Sequence, residues 1–234
     1  GRARPGRARR GGGGEAVRDR YSIVAGLLFA AIVAVALIDG VGGGGGGALG
    51  LGEQPRRWPL PEFAVPAAAG KLEGDANVAQ DDCSTTRLPC PEGSRRDPAC
   101  RVETPESLRV CDLFDRPSVI SFWFSRGGEC VEQQDIVDRV FRRYRDRVRF
   151  LSVNVRDDRG TVRELIEQRR WQVPVGYDRD GAVAGLYRVG GCPTFAYAYP
   201  GGALQGAGIG NLDEAELSAR VERLLEATAA AESR

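Results

Sequence analysis

The feature that most restricts the fold is an alternation, from residue 108 onward, between short apolar runs and segments of helical periodicity. Residues 118–124 (SVISFWF) form a near-continuous apolar run, which is typical of a central strand buried on both faces. After the glycine pair at 127–128, apolar residues recur at helical spacing: Ile136, Val137, Val140, Phe141 and Tyr144. This order of strand, turn and helix favours a sheet with flanking helices over a helical bundle or a β-sandwich.

A second strand and a second helix are predicted next. Residues 148–155 (VRFLSVNV) have the apolar, β-branched character of a strand. Thr161 and Glu164 have the spacing of a capping box, which predicts that a helix begins there. The residues that this helix is expected to bury are Val162, Leu165 and Ile166.

The last part of the domain is expected to contain a hairpin and a closing helix. The runs 194–199 and 203–209 predict two antiparallel strands, and the sequence Pro-Gly-Gly at 200–202 suits a type II turn between them. A final helix should follow, capped by Asn211 with Glu214 three residues on. Its packing residues are Leu217, Val221, Leu224 and Leu225. The predicted fold class is therefore α/β.

The composition excludes several classes of enzyme. None of the 234 residues is His, so the chain has no Ser-His-Asp triad, no Cys-His dyad and no imidazole ligand for a metal. The formal net charge of +1 gives no general attraction to nucleic acid or to a membrane surface. The side chains left for chemistry are six cysteines: Cys83, Cys90, Cys100, Cys111, Cys130 and Cys192. We predict no cofactor.

The N-terminal part indicates a membrane anchor. Residues 1–20 contain seven Arg, and they precede an uncharged run of 18 residues at 21–38 that ends at Asp39. A helix of this length spans about 27 Å, close to the hydrocarbon core of about 30 Å. The charge step predicts a cytoplasmic N-terminus, a single-pass transmembrane anchor at 21–39 and an extracytoplasmic domain in the cell membrane. A cleaved signal peptide with a small-x-small site at 34–36 stays an alternative, although the run is longer than usual for one.

The segment 40–107 is interpreted as a flexible linker and a cysteine-bearing extension. The glycine run 42–47 cannot pack a core, and it lacks the Lys-Ser/Thr pair of a phosphate-binding loop. Residues 48–100 are rich in Pro, Gly and Ala with no sustained period. The predicted organisation is a basic cytoplasmic tail (1–20), an anchor (21–39), the linker and extension (40–107), the α/β domain (108–227) and a tail (228–234).

The first predicted helix carries a cluster of basic residues: Arg139, Arg142, Arg143, Arg145 and Arg147. These residues interleave with Asp138 and Asp146, so the pattern predicts a solvated helix face more readily than a nucleic-acid interface. The predicted extracytoplasmic location points the same way. We therefore expect no nucleic-acid partner.

Several short segments resemble membrane-anchored thioredoxin-like proteins of the TlpA type. Residues 122–130 (FWFSRGGEC) are similar to the family's F-W-A-x-W-C-x-x-C segment. Residues 191–194 (GCPT) are similar to its G-x-P-T segment, which holds a cis-proline. Residues 178–181 (DRDG) and 187–189 (YRV) resemble the D-x-D-G and Y-x-V stretches that precede that proline. The resemblance implies a thioredoxin-like fold, with a central mixed sheet and flanking helices.

The sequence departs from the family pattern where the chemistry is expected. The attacking cysteine of the motif falls on Gly127, and only the second, resolving position is kept, as Cys130. Cys130 is expected in the first turn of a helix, where unpaired N–H groups and the helix dipole favour a thiolate. Arg126 adds to this effect, whereas Glu129 and Glu132 oppose it.

The resemblance also implies a role for Cys192. The residue before the cis-proline, here Pro193, faces the mouth of the active-site helix in this fold. Cys130 and Cys192 are therefore expected within disulfide reach, and with Pro193 they form the candidate catalytic site. A redox pair and a purely structural bridge both stay open, because closing a loop of about 62 residues is by itself worth about 4 kcal/mol.

The other four cysteines are interpreted as structural. Cys100 with Cys111 would close a short loop worth about 3 kcal/mol and tie the extension to the sheet. Cys83 with Cys90 is the remaining pair. A metal site built from these four is the weaker alternative, because no CxxC spacing occurs among them.

Three functions stay open at this stage. The first is a divergent thiol-disulfide oxidoreductase that uses Cys130 and Cys192 on extracytoplasmic protein thiols or disulfides. The second is a redox-inactive binding or structural module with structural disulfides. The third is a one-cysteine peroxidase using Cys130 alone, which is disfavoured because its motif places Pro seven and Thr three residues before the reactive Cys, where this chain has Trp123 and Gly127.

Overall fold

The computed structural model describes residues 57–72, 79–80, 99–101, 103–126 and 129–233. Its strands are β1 (Phe63–Pro66), β2 (Ala79–Gln80), β3 (Ser107–Arg109), β4 (Ser118–Trp123), β5 (Arg149–Val155), β6 (Val175–Asp178), β7 (Thr194–Ala198) and β8 (Leu204–Ile209). Its α-helices are α1 (Cys130–Tyr144), α2 (Arg159–Arg169), α3 (Ala182–Leu186) and α4 (Glu214–Glu232). Short 3-10 helices cover Ala99–Arg101 and Val110–Leu113.

The central sheet has the strand order β6-β5-β4-β7-β8. Strands β4, β5 and β6 are parallel to one another, whereas β7 is antiparallel to both β4 and β8. In the register of β4 and β7, Phe122 lies opposite Thr194. Strand β4 ends beside the start of the antiparallel β7. The residues that follow Trp123 therefore meet the residues that precede Thr194, at the same end of these two strands.

Helices cover both faces of this sheet. Alternate residues of β4 point to opposite faces, so Val119 and Trp123 contribute to one core while Ile120 and Phe122 contribute to the other. The first core also contains buried residues of α1 and α4: Val137, Val140, Leu217, Val221 and Leu224. The second contains residues of α3 and of the N-terminal extension: Val183, Ala184, Leu60, Phe63 and Val65. The predicted α/β domain with a central mixed sheet and flanking helices is confirmed.

The N-terminal extension packs across the second face. The sequence predicts no regular element there, whereas the structure has β1, which pairs antiparallel with both β2 and β3. Backbone pairing ties the extension to both edges of the central sheet, through Pro59 with Ala203 of the β7–β8 hairpin and Ala67 with Gly176 on β6. The regular structure arises because the side chain of Phe63 is fully buried in the second core, a tertiary contact with no local signal in a Pro- and Ala-rich segment.

The predicted hairpin is confirmed, but both predicted helix caps are wrong. Helix α2 is capped by Asp158, whose carboxylate accepts a hydrogen bond from the Thr161 N–H at 3.1 Å. Helix α4 is capped by Asp213, which forms a capping box with Glu216, and not by Asn211. In both places an Asp lay within three residues of the predicted cap, and its carboxylate made the capping contact. Helix α4 also continues to Glu232, beyond the predicted end of the domain.

Strand β6 and helix α3 were not predicted from the sequence. Gly176 in the middle of β6 lowers the β propensity of this four-residue strand. The glycine is needed there because a Cβ at this position would lie 2.5 Å from Cγ2 of Val65 on β1. Helix α3 has only five residues, too few to produce a recognisable helical period.

Several predicted features lie outside the described residues. They are the basic tail at 1–20, the anchor at 21–39, the glycine run at 42–47, and the cysteines Cys83 and Cys90. Among the helices of the described residues, none combines the length and the apolar character that crossing a bilayer requires.

Candidate redox site

Cys130 is the first residue of α1, shortly after β4 ends at Trp123. Its side chain is only 3% exposed. The helix has no side-chain cap, and its first backbone hydrogen bond runs from the Gln133 N–H to the Glu129 carbonyl at 2.8 Å. The N–H groups of the first turn are therefore without intrahelical partners, and together with the helix dipole they favour negative charge on the sulfur of Cys130.

Cys192 lies in the loop that leads into β7, and its peptide bond to Pro193 is cis, as the family resemblance implies. Backbone contacts hold this loop to the hairpin, because the Gly210 N–H donates to the Pro193 carbonyl at 3.0 Å. The hydroxyl of Thr194 donates back to the Gly191 carbonyl at 2.7 Å. The side chain of Cys192 is half-buried, which leaves its sulfur more accessible than that of Cys130.

The structure links Cys130 and Cys192 by a disulfide, with their Cα atoms 6.0 Å apart. The antiparallel register of β4 and β7 explains the meeting, because Cys130 follows the end of β4 and Cys192 precedes the start of β7. The structure thus brings together the three candidate catalytic residues Cys130, Cys192 and Pro193, where β4 ends and β7 begins. Their catalytic role stays a prediction.

Gln133 fastens the first turn of α1 to the segment before α4, a contact that the sequence did not predict. Its side-chain amide donates to the Leu212 carbonyl at 3.0 Å and its oxygen accepts from the Leu212 N–H at 2.8 Å. Gln133 is 3% exposed and Leu212 is also buried, so the Gln133 amide and the Leu212 backbone are hydrogen-bonded to each other instead of to water. The position of Cys130 therefore depends on a residue one helical turn further along.

Asp157 organises the loop before the site. Its Oδ2 atom accepts hydrogen bonds from the Ser125 N–H at 2.5 Å and from Asn154 Nδ2 at 2.7 Å. Its Oδ1 atom is 4.0 Å from Nε of Arg126. Tyr177 donates its hydroxyl to the Asp157 carbonyl at 2.8 Å, and burial raises the pKa of this tyrosine. The network joins the ends of β4, β5 and β6 next to the redox site.

Each charged residue near Cys130 has a partner, but the partner of Glu129 is the neutral amide of Asn211, which leaves its negative charge opposed to a thiolate. Arg126 is 82% exposed and lies near the buried Asp157 carboxylate, so solvent and Asp157 both screen its charge. Glu129 accepts a hydrogen bond from Asn211 Nδ2 at 3.1 Å, and Glu132 is 3.9 Å from Arg169. The helix N-terminus is therefore the main local feature that stabilises a thiolate at Cys130.

The five arginines of the α1 cluster are exposed, as predicted, but the prediction that Asp138 lies on the same solvated face is wrong. Asp138 is 2% exposed, and its Oδ1 atom accepts from the backbone N–H groups of Gln172 and Val173. Arg139 and Arg143 each pair with Glu214 of α4, at 2.8 and 2.9 Å. Asp138 is buried where its carboxylate accepts from these two backbone donors and also pairs with Arg142 at 2.5 Å.

A second disulfide joins Cys100 and Cys111, whose Cα atoms are 5.7 Å apart. Each cysteine lies in a 3-10 helix, and the two 3-10 helices flank the short strand β3. Both side chains are half-buried. The structure thus places Cys100 and Cys111 together, as the sequence predicts, and neither is part of an α-helix.

No family model matches the chain. A curated relative, the thiol-disulfide oxidoreductase ResA of Oceanobacillus iheyensis, is 22% identical over 100 residues, which is 42% of this chain and 52% of ResA. The chain thus spans about half the length of this relative.

Solved structures share the fold at low identity. A putative thiol:disulfide interchange protein DsbE from Chlorobium tepidum has a TM-score of 0.54 at 16% identity, covering 75% of this chain and 99% of its own. A second Chlorobium tepidum protein, a thiol:disulfide interchange protein of the thioredoxin family, has a TM-score of 0.53 at 13% identity, covering 74% and 99%. The chain therefore has the thioredoxin-like fold of thiol-disulfide oxidoreductases, and its described residues include two disulfide-bonded cysteine pairs.

Proposed function

We propose that this chain is a divergent thiol-disulfide oxidoreductase in which a disulfide between Cys130 and Cys192 takes the place of the usual CxxC pair. The observation that carries the proposal is the position of Cys130, at the unpaired N-terminus of α1 and bonded to the residue before the cis-proline Pro193. A helix N-terminus lowers the pKa of a cysteine and makes it a good leaving group in thiol-disulfide exchange.

The difference in burial between the two cysteines assigns their roles. A thiolate of the partner protein attacks Sγ of Cys192, which is half-buried, and the Cys130–Cys192 bond breaks. The bonding electron pair leaves on Sγ of Cys130, where the helix N-terminus stabilises the thiolate. The partner and Cys192 are then joined by a mixed disulfide.

A second thiolate of the partner completes the exchange. It attacks the partner's sulfur in the mixed disulfide, and Cys192 leaves as a thiolate that takes a proton from solvent. The partner dithiol has lost two electrons and released its two protons to solvent as it forms its own disulfide. This chain has gained the two electrons and ends with Cys192 as a thiol and Cys130 as the thiolate that the helix N-terminus stabilises. In the reverse direction, Cys192 attacks a partner disulfide and Cys130 resolves the mixed disulfide.

The partners and the location belong to the same proposal. The names of the similar proteins describe thiol-disulfide exchange, which supports protein thiols or disulfides as substrates. The charge step between residues 1–20 and 21–39 supports a membrane anchor with the domain outside the cytoplasm. Protease added to intact spheroplasts should release or degrade the C-terminal domain, and complete protection of that domain would contradict this location.

The proposed exchange is tested by the reduction potential of the Cys130–Cys192 pair. We expect equilibration with graded dithiothreitol or glutathione buffers, followed by mass-spectrometric counting of alkylated thiols, to give a value in the catalytic range of about −120 to −270 mV. The matched control is the double variant Cys100→Ser with Cys111→Ser, which should leave this potential unchanged. A value below about −300 mV would indicate a structural bridge and overturn the proposal.

A second candidate function has its own supporting observation. The sulfur of Cys130 belongs to a side chain that is only 3% exposed, and a buried, relaxed bridge exchanges slowly. This favours a redox-inactive binding module in which the bridge holds the cis-proline loop to α1. The same titration distinguishes the two functions, because only the binding module predicts a pair that resists reduction.

A further inference from the structure

A cluster of three side chains lies away from the redox site. A carboxylate oxygen of Glu62 and the sulfurs of Cys100 and Cys111 lie within 4.8 Å of one another. Glu62 directly precedes β1, and the two cysteines lie in the 3-10 helices at 99–101 and 110–113. The fold therefore brings three side chains from separate parts of the chain to one point, and all three are half-buried.

One carboxylate oxygen of Glu62 lacks a hydrogen-bond partner in the oxidised form. Its Oε2 atom is buried and accepts no hydrogen bond among the described residues. A buried polar atom without a partner is unfavourable, and such atoms are rare in native structures. A disulfide offers this oxygen nothing, because its sulfurs have no proton to donate. Oε2 of Glu62 therefore has no partner among the described residues while Cys100 and Cys111 form a disulfide.

We propose that reduction of the Cys100–Cys111 disulfide creates a binding site for Zn²⁺, with both thiolates and the Glu62 carboxylate as ligands. A dithiol reductant supplies two electrons and two protons, becomes a disulfide itself, and leaves Cys100 and Cys111 as thiols. The metal ion then displaces the two thiol protons into solvent, and a water molecule completes the coordination.

The ligand set selects the class of metal. Two sulfurs and one carboxylate oxygen suit Zn²⁺, which prefers tetrahedral coordination by such ligands. Ca²⁺ and Mg²⁺ are disfavoured because they require six or more oxygen ligands. With Zn–S distances of about 2.3 Å, tetrahedral coordination places the two sulfurs about 3.8 Å apart. The Cα separation of 5.7 Å between the cysteines suits this spacing after rotation of their side chains.

The surrounding charges are compatible with a bound cation. Two thiolates, one carboxylate and Zn²⁺ carry a net charge of −1. Arg109 lies next to the cluster, where its Nη1 atom donates to the Cys100 carbonyl at 3.3 Å. Its guanidinium also forms two hydrogen bonds to the Asp112 carboxylate, at 2.7 and 3.1 Å, so this pair adds little repulsion toward the metal. The proposal is independent of any redox activity at Cys130 and Cys192.

The test uses the full chain with the other four cysteines replaced: Cys83→Ser, Cys90→Ser, Cys130→Ser and Cys192→Ser. Competition with a chromophoric chelator measures Zn²⁺ binding, and Co²⁺ as a probe reports sulfur ligation through its absorption. We expect one metal ion per chain after reduction and none after oxidation of the remaining pair. Adding Glu62→Gln should weaken binding at least about tenfold. Adding Glu103→Gln, an exposed carboxyl in the same region, should leave it unchanged.

The absence of metal binding by the reduced protein would overturn the proposal, as would equal affinities with and without Glu62→Gln. A second measurement covers the case in which the four-fold variant does not fold. The reduced wild-type chain should show a rise in melting temperature on addition of Zn²⁺, and Glu62→Gln should remove that rise. A rise of equal size in Glu62→Gln would place the bound metal at other cysteines and contradict the proposed site.

Discussion

The two disulfides of the described chain differ in almost every physical respect. Cys130 and Cys192 are 62 residues apart and connect the first turn of α1 to the cis-proline loop at the edge of the central sheet. Cys100 and Cys111 are 11 residues apart and connect two 3-10 helices beside the smaller sheet. The first bridge thus joins two elements of the α/β domain, whereas the second closes a local loop.

This comparison indicates that the groups around a disulfide decide how readily it undergoes exchange. Cys130 lies at the N-terminus of a 15-residue α-helix, which would stabilise the thiolate that leaves in the proposed exchange. Cys100 and Cys111 lie instead in 3-10 helices of three and four residues, close to the carboxylate of Glu62, which opposes a lone thiolate. Exchange is therefore favoured at the first bridge, and stabilisation or metal binding at the second.

The two bridges should differ most in their importance for thiol-disulfide exchange activity. Cys130→Ser should reduce thiol-disulfide exchange with a model peptide dithiol to the background rate, because it removes the leaving thiolate. The double variant Cys100→Ser with Cys111→Ser should keep the wild-type rate. Stopped-flow measurement of peptide oxidation compares the three proteins. Equal loss of activity in both variants would end the distinction between a chemical bridge and a structural one.

The two bridges should also differ in how much each contributes to the free energy of unfolding. Chain entropy gives about 4 kcal/mol for a loop of 62 residues and about 3 kcal/mol for a loop of 11 residues. Replacing both cysteines of each pair by Ala should therefore cost more free energy of unfolding at Cys130 and Cys192. Urea unfolding of the oxidised proteins measures the difference. A larger loss at Cys100 and Cys111 would show that loop closure does not set the order.

A smaller effect is expected at the residue that supports the first bridge. Gln133→Leu leaves the N–H and carbonyl of Leu212 without their buried partners and should cost about 2 kcal/mol of stability. It should also shift the reduction potential of Cys130–Cys192 but not that of Cys100–Cys111, because Gln133 lies in the turn that follows Cys130.

Gln134→Leu is the matched control for this position. Gln134 is equally buried, but its side chain makes one hydrogen bond, from the Ser152 hydroxyl at 2.9 Å, and its Nε2 atom has no partner among the described residues. The control should cost less stability and leave both potentials unchanged. A shift of the same size in both variants would show that Gln133 has no specific influence on the redox pair.

Much of the fold could be predicted because its signals are local. The buried run of β4 and the periodicity of α1 each lie within one segment, and they predict the strand and helix whose junction carries Cys130. The pairing of Cys130 with Cys192 was expected only through the family resemblance, since the two residues are far apart in sequence. Local pattern and resemblance together predicted four of the five strands of the central sheet and the candidate site.

The remaining features depend on contacts between distant residues. Asp157 bonds a backbone group 32 positions away, and Gln133 bonds one 79 positions away. No periodicity or composition within their own segments indicates these partners. Strand β1 was missed for the same reason, because Phe63 becomes buried only when the extension crosses the central sheet. The supporting residues of a site are thus harder to predict than its reactive residues.

The smallest expected effect is a pH dependence of opposite sign in the two regions. Asp178 is buried at the end of β6 and accepts hydrogen bonds from the N–H groups of Val183 and Ala184, which begin the segment leading to Cys192. Burial outweighs these contacts and raises the pKa of Asp178. Asp115 lies just after Cys111, and its hydrogen bonds to Arg149 lower its pKa.

The signs follow from linkage between protonation and folding. A raised pKa in the folded state gives a contribution to stability that is present at low pH and is lost as the pH rises through that pKa. A lowered pKa gives a contribution that is present above the unfolded value of about 3.9 and is lost as the pH falls. From about pH 3.9 upward, the stability of the wild type relative to Asp178→Asn should fall as the pH rises. From about pH 3.9 downward, its stability relative to Asp115→Asn should fall as the pH is lowered.

Urea unfolding at a series of pH values measures both slopes. The Asp115 slope should also shrink in high salt, because the pair with Arg149 is exposed and screened, whereas the Asp178 slope should persist because its origin is burial. The two carboxyl groups thus test whether the region near Cys192 is held by a buried acid and the region near Cys111 by a surface ion pair. Slopes of the same sign would mean that burial at Asp178 does not outweigh its hydrogen bonds.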